Sequence, residues 1–272
     1  GLCYDMLYLL LKNVLRYRKS IIEKNIKLSF PDATKQELNQ IKDNYYKHLS
    51  NILIESFWLT FIPKEMIKRR FVYENIELLE NIVSQGQNIS TVSGHFANWE
   101  WLSSTPLWSN KTQFASLFKR INNPILNKLS INIRSRFGLH CIDKNNALRK
   151  IIELSKKPEG YVVAFIADQC PSRKNIHYWI KFLNQATPIF SGWATISRKL
   201  NNAIVYIKVT QISNHRYKVR FDLLTTTPKK YTDKELCEMY MNRLEEDIKE
   251  TPELWLWSHN RWKHEPPKDL SL

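Results

Sequence analysis

A histidine and a glutamate stand five residues apart in SGHFANWEW, residues 93–101, with glycine before the first and tryptophan on both sides of the second. Histidine can take a proton from a hydroxyl near neutral pH, and a positioned general base is worth roughly 10²- to 10⁴-fold in rate. A carboxylate on the far ring nitrogen would fix the tautomer and stabilise the imidazolium that forms. His95 and Glu100 are therefore candidates for a base and its partner. On a straight helix, residues five apart point roughly 140° away from each other, at about 100° per residue. They converge only if the stretch bends, as where a strand ends in a turn and a helix begins. No GxSxG surrounds the pair, so the attacking oxygen would be a hydroxyl of the substrate itself. HExxH is also missing, and a metal is not expected. The plainer alternative is a packed histidine at a helix start with Glu100 in solvent.

The elements that must position this pair can be read in outline. TKQE at 34–37 is a capping-box pattern, and Leu38, Ile41, Tyr45, Leu49, Ile52 and Leu53 follow at helical spacing. A long helix to about Phe61 is expected. Farther on, NISTVSG (88–94), FASLF (114–118), YVVAFIAD (161–168), AIVYIKVT (203–210), YKVRFDLL (217–224) and LWLWSH (254–259) read as strands. Helical stretches are expected over 98–110, 124–136, 145–156, 191–201 and 232–250. Strands alternating with helices predict an α/β fold, a mixed central sheet flanked by helices with a helical N-terminal region. The expected organisation is a single domain over 1–272, helical over 1–75 and α/β over 76–272. Ligands in such sheets sit at the carboxyl ends of strands. His95 follows one such end, Asp168 and Gln169 close another, and His259 and Arg261 follow a third, so these three ends are expected to surround one cleft.

The bulk properties narrow the partners. The 272 residues carry 41 Lys+Arg against 26 Asp+Glu, a net charge of +15, which favours anionic partners. The four cysteines are scattered without a CxxC pair, so structural zinc is not expected and a reducing compartment fits. MLYLLLKNVL at 6–15 is interrupted by Lys12 and Asn13 and falls short of the ~20 residues a membrane span needs. It either packs on the body or lies at a membrane surface. No helix-turn-helix, zinc-finger or RNP pattern is present, so nucleic acid is not an expected partner.

Several blocks together carry a resemblance. GHFANWE resembles the HxxxxE motif of the lipid A late acyltransferases, the Kdo-dependent lauroyl/myristoyl acyltransferase family. LRYRKSIIEKNIKLSFPD (15–32) looks like that family's N-terminal block with its N-x-x-x-x-FP segment. LFKRINNPILNKL (117–129), NIRSRFG (132–138), FIADQ (165–169) and WLWSHNRWK (255–263) resemble further blocks, in family order over nearly the whole chain. The resemblance implies transfer of a fatty acyl group from acyl carrier protein, or CoA, to a hydroxyl of a lipid A precursor. It implies a fold similar to the glycerol-phosphate acyltransferases. It also implies His95 as general base with Glu100 as its partner, no metal or other cofactor, and work at the cytoplasmic face of the bacterial inner membrane.

Attack on a thioester builds negative charge on the carbonyl oxygen. Asn98, the amides of residues 96–98 or a nearby arginine are candidates to hold it, each such donor being worth roughly 3–4 kcal/mol in other enzymes. Arg120, Arg134 and Arg136 are expected near a phosphorylated sugar or the charges of the site, since arginine forks match phosphate. Arg134 and Arg136 lie two apart and face different ways on a helix, so one of the two is expected to reach it. Asp168 would orient an arginine or bind a polar headgroup. The C-terminal tryptophans and Arg261 suit either a membrane-facing rim or packing. The basic runs at 11–19 and 66–71 suit anionic lipid or acidic carrier protein.

Two positions depart from the family pattern. Phe118-Lys119-Arg120 stands where tyrosine precedes arginine, and Ala97 stands where glycine is common, a change expected to be harmless. The chain begins with Gly1, and the expectation is a protein that is either peripheral at the membrane or anchored by a segment outside this sequence. The acceptor is less constrained than the chemistry: an aminolipid, a glycolipid or a pigment would suit the same motifs. A lipid-binding relative without turnover is disfavoured by the intact His95 and Glu100.

Overall fold

The computed structural model describes residues 2–270. The N-terminal helices are α1 (Leu2–Leu9), continued by a π-helical turn to Val14, then α2 (Lys19–Ser29), α3 (Lys35–Trp58) and α4 (Lys64–Arg70). Strand β1 (Phe71–Tyr73), helix α5 (Glu77–Ser84), β2 (Ile89–Ser93) and a 3-10 helix over Trp99–Leu107 follow. Next come β3 (Gln113–Phe118), α6 (Pro124–Ser135), β4 (His140–Asp143), α7 (Ala147–Ser155) and β5 (Tyr161–Ile166). The chain ends with β6 (Tyr178–Phe182), β7 (Gln185–Ile189), α8 (Gly192–Leu200), β8 (Ala203–Ser213), β9 (Arg216–Thr225) and α9 (Asp233–Glu250).

Helix α3 starts where the capping box predicts. Thr34 Oγ1 accepts from the Glu37 amide at 3.3 Å, and the Glu37 carboxylate accepts from the Thr34 amide at 2.7 Å. It buries Tyr45, Tyr46, Leu49 and Ile52, one face of the expected stripe, and ends at Trp58, three residues short of the reading; Leu53 stays outside. The same capping chemistry, from Thr232 and Glu235, opens α9.

Seven strands form one sheet in the order β1-β9-β8-β2-β5-β3-β4. From β8 to β4 neighbours are parallel; β9 is antiparallel to β8, and β1 runs parallel to β9. β2 and β5 lie at the centre, and every residue of β2 is buried. This is the expected mixed sheet flanked by helices.

Several elements differ from the reading. LWLWSH forms no strand: Pro252–Leu254 is a 3-10 turn, and Trp255 makes one antiparallel bridge, to Phe96. Its Trp255 and Trp257 are buried rather than lining a membrane-facing rim. The hairpin β6–β7 gave no signal because its turn, Leu183-Asn184, takes two left-handed residues (φ 47° and 62°) without the usual glycine. β1 and β4 are three and four residues long, too short to show a period.

Candidate active site

The sheet register brings the chemistry together. Ser93 pairs with Ile166 across β2 and β5, and His95 and Asp168 each lie two residues beyond that pair. His95 Nδ1 meets Asp168 Oδ1 at 2.6 Å, and the His95 amide donates to Asp168 Oδ2 at 2.9 Å. Trp255 Nε1 donates to the same Oδ2 at 2.8 Å. Burial alone would raise the Asp168 pKa, but the facing His95 ring and these hydrogen bonds outweigh it and hold it down at about 2. An ionised carboxylate can only accept, so Nδ1 carries a ring proton, and in the neutral imidazole Nε2 presents its lone pair. Gln169 Nε2, a donor, stands 3.3 Å from that lone pair. The Trp99 ring meets the imidazole edge-on at 5.4 Å.

The loop between β2 and the 3-10 helix is held tightly. A Cβ on Gly94 would fall 2.7 Å from Leu244 on α9 and 3.3 Å from Asp168 Oδ2, so glycine lets α9 close over the dyad. Ala97 has φ 48°, a left-handed conformation that costs a non-glycine residue roughly 1–2 kcal/mol. Alanine for glycine is therefore not harmless here. Its conformation is held by the Ala97 amide donating to Leu254 O at 2.9 Å and by Leu256 N donating to His95 O at 3.1 Å. The C-terminal segment is pinned in turn by Asn25, whose Nδ2 donates to the Trp257 and His259 carbonyls, and by Arg18, which donates to Ser258 O.

Glu100 does not reach His95. It pairs with Arg134 of α6, Nη2 to Oε1 at 3.1 Å, and both side chains are partly exposed. Nδ1 of His95 belongs to Asp168, so the partnership expected for Glu100 is made by the strand-end acid instead. Arg136 turns the other way and donates to Leu59 O at 3.0 Å. Asn98 is fully buried with its amide committed: Nδ2 donates to Glu55 at 2.6 Å and Oδ1 accepts from the Trp101 amide at 3.1 Å. It starts the 3-10 helix, and it has no exposed surface to offer an oxyanion. Arg120 lines a surface groove of about 810 Å³ with Ile121, Asn122, Asn127, Lys128 and Asn132; neither His95 nor Asp168 lines it. His259 Nε2 accepts from the Cys170 amide at 3.0 Å, and Arg261 is fully buried near Cys170 and Asp168. The third chain segment thus joins the site without being a strand.

A family model described as bacterial lipid A biosynthesis acyltransferase matches residues 3–264. This chain belongs to that family. It is similar to the lipid A biosynthesis palmitoleoyltransferase of Escherichia coli (strain K12), 27% identical over 260 residues, which are 95% of this chain and 83% of the relative. It is also similar to the lipid A biosynthesis lauroyltransferase of the same organism, 21% identical over 253 residues, 93% of this chain and 81% of the relative. A lipid A biosynthesis acyltransferase of Shigella flexneri matches at 27% over the same share as the first. The chain is an acyltransferase of this family.

For this acyltransferase the sequence pointed to His95 and to the Asp168 strand end, but not to their contact, which needs the register of β2 and β5. Asn25 and Glu55 gave no functional signal, because each acts on a loop far away in the chain.

Proposed function

We propose that this acyltransferase moves a fatty acyl group from a thioester, on acyl carrier protein or CoA, to a hydroxyl of a lipid A precursor, with His95 as general base and Asp168 as its partner. The observation that supports this most is the 2.6 Å contact between the His95 ring and a buried, ionised Asp168 at adjacent strand ends.

In this reading Nε2 of His95 takes the proton of the acceptor hydroxyl while the oxygen attacks the thioester carbonyl carbon. The charge on the intermediate oxygen is met by Arg134, whose guanidinium is oriented by Glu100. The carbon–sulfur bond then breaks, and the imidazolium returns its proton to the leaving thiolate. The products are an ester and a free thiol. Asp168 stabilises the transient imidazolium and stays ionised throughout. The Arg120–Lys128 groove is assigned to anionic groups of the acceptor or donor.

Association with an anionic membrane surface belongs to the same proposal. No helix among the described residues is long and apolar enough to cross a membrane. Phe57 and Phe61, their rings 5.5 Å apart edge to face, lie exposed next to α4, which carries Lys64, Lys68, Arg69 and Arg70. Exposed apolar rings beside a basic cluster suit a headgroup layer.

The test is mass spectrometry of the protein with acyl carrier protein thioesters and a Kdo-bearing tetra-acylated lipid A precursor. One added acyl mass, lost in His95→Ala with native circular dichroism, is expected. An active, folded His95→Ala protein would overturn the mechanism. Intact thioesters and no added mass with the parent chain would shift the acceptor to an aminolipid, a glycolipid or a pigment. Flotation with anionic vesicles, weakening with salt and in Phe57→Ser/Phe61→Ser, checks the membrane face.

A further inference from the structure

The loop carrying His95 and Glu100 is clasped on one side by the C-terminal segment. Its other side rests on a buried carboxylate that the reaction above does not use. Glu55, in the last turn of α3, is fully buried, and three side chains converge on it. Asn98 Nδ2 donates to Oε2 at 2.6 Å, Tyr217 Oη donates to the same oxygen at 2.9 Å, and His215 Nδ1 meets Oε1 at 2.6 Å. Burial and the adjoining carboxylate push the Tyr217 phenol well up, so it stays protonated and donates. The Glu55 carbonyl accepts from Trp101 Nε1 at 3.0 Å.

Packing alone does not account for such a residue. A buried carboxylate is costly unless its oxygens are fully hydrogen-bonded, and a leucine would fill the space without that cost. What the carboxylate does that leucine could not is hold Asn98 by its amide. Asn98 then spends its oxygen on the Trp101 amide, which sets where the 3-10 helix begins. Glu100 is the second residue of that helix, and the preceding turn runs through left-handed Ala97. A side-chain bond to Asn98 is therefore well placed to decide where Glu100 stands relative to His95.

We propose that Glu55 is a positioning residue for acyl transfer, acting through Asn98 on the His95–Glu100 loop. The proposal rests on reading that loop as the catalytic element. The cluster extends outward as well. His215 sits at the tip of the β8–β9 hairpin and its ring packs on Tyr4 of α1 at 4.5 Å and on Trp58 at 5.9 Å. Glu55 thus joins the catalytic loop to α3, to the hairpin and, through His215, to α1.

The test is an exchange of ends. Asn98→Asp places a second carboxylate against Glu55 and is expected to lower kcat about 100-fold, the scale of a displacement of about 1 Å at a reacting centre, with KM little changed. In the double variant Glu55→Gln/Asn98→Asp the roles are swapped. The amide now stands on α3 and donates, while the carboxylate on the loop accepts with one oxygen and still caps the Trp101 amide with the other. Turnover is expected to return to within about tenfold of the parent chain. Glu55→Gln alone, nearly isosteric, is expected to lose about tenfold in kcat with its thermal midpoint close to the parent's. Parental kcat in Glu55→Gln, or a double variant whose midpoint recovers while kcat stays at the Asn98→Asp level, would overturn the proposal. His95→Ala runs alongside: if it retains activity, the catalytic reading of the loop has failed, independently of Glu55.

Discussion

Two carboxylates of the candidate site around His95, the proposed base, have contrasting surroundings. Asp168 is buried, accepts three hydrogen bonds and is held ionised down to a pH of about 2. Glu100 is partly exposed on a 3-10 helix and meets a single arginine, itself partly exposed at the end of α6. The first arrangement is rigid, because both residues extend from neighbouring strands whose ladder sets their spacing. The second is held less tightly, because Glu100 meets Arg134 through one partly exposed ion pair, and such pairs contribute little to stability. The contrast suits the function proposed above: proton transfer by His95 would require a fixed base, whereas an element that met a large acceptor and donor would have to admit them.

The most direct way to break this comparison is Asp168→Asn. It keeps the shape but favours the wrong ring tautomer, and kcat is expected to fall roughly 10³- to 10⁴-fold with the fold retained by circular dichroism. A loss no greater than that of Glu100→Ala would remove the distinction. On the more exposed side, Glu100→Ala and Arg134→Ala are each expected to cost roughly 10²-fold in kcat/KM. The double variant should be little worse than either, because one interaction is being removed twice. Additive losses would show that the two act separately.

The rigid side is sharpened by Gly94→Ala, whose Cβ would press Leu244 and approach Asp168. About a tenfold fall in kcat is expected, read against the thermal midpoint. A separate effect is on stability against pH. Burial pulls both His48 and His259 down to about 4, so each is neutral in the folded chain while the unfolded chain takes up a proton below about pH 6.5. Stability is then full above pH 6.5 and falls as the pH drops toward 4, with His48 accounting for about 3 kcal/mol of the loss. Asp168 adds a separate loss between about pH 4 and 2, as its folded-state carboxylate is finally protonated. Urea unfolding at stepped pH reads both windows, and His48→Gln should flatten the upper one.

Much of this was legible along the chain. The capping box at Thr34, the helical stretch from 232, the apolar run of β5 and the strand-to-turn break at Gly94-His95 are local patterns, and each formed where it was read. The partner of His95 was not local. Glu100 is five residues away in sequence but on another element, while Asp168 is 73 residues away and one strand over. In sequence Asn98 reads as a free amide, but Glu55, 43 residues earlier, accepts from it in the fold. The last apolar run looked like a strand because alternating tryptophans read that way, yet its rings fill the core.

Near neighbours along the chain settle the elements, the basic surface and the residue types able to move a proton, because helix periods, caps and apolar runs are short-range patterns. Which carboxylate serves the histidine, and which arginine faces the site, are long-range outcomes. They depend on the register of β2 against β5 and on how α3, α6 and the C-terminal segment close around one loop.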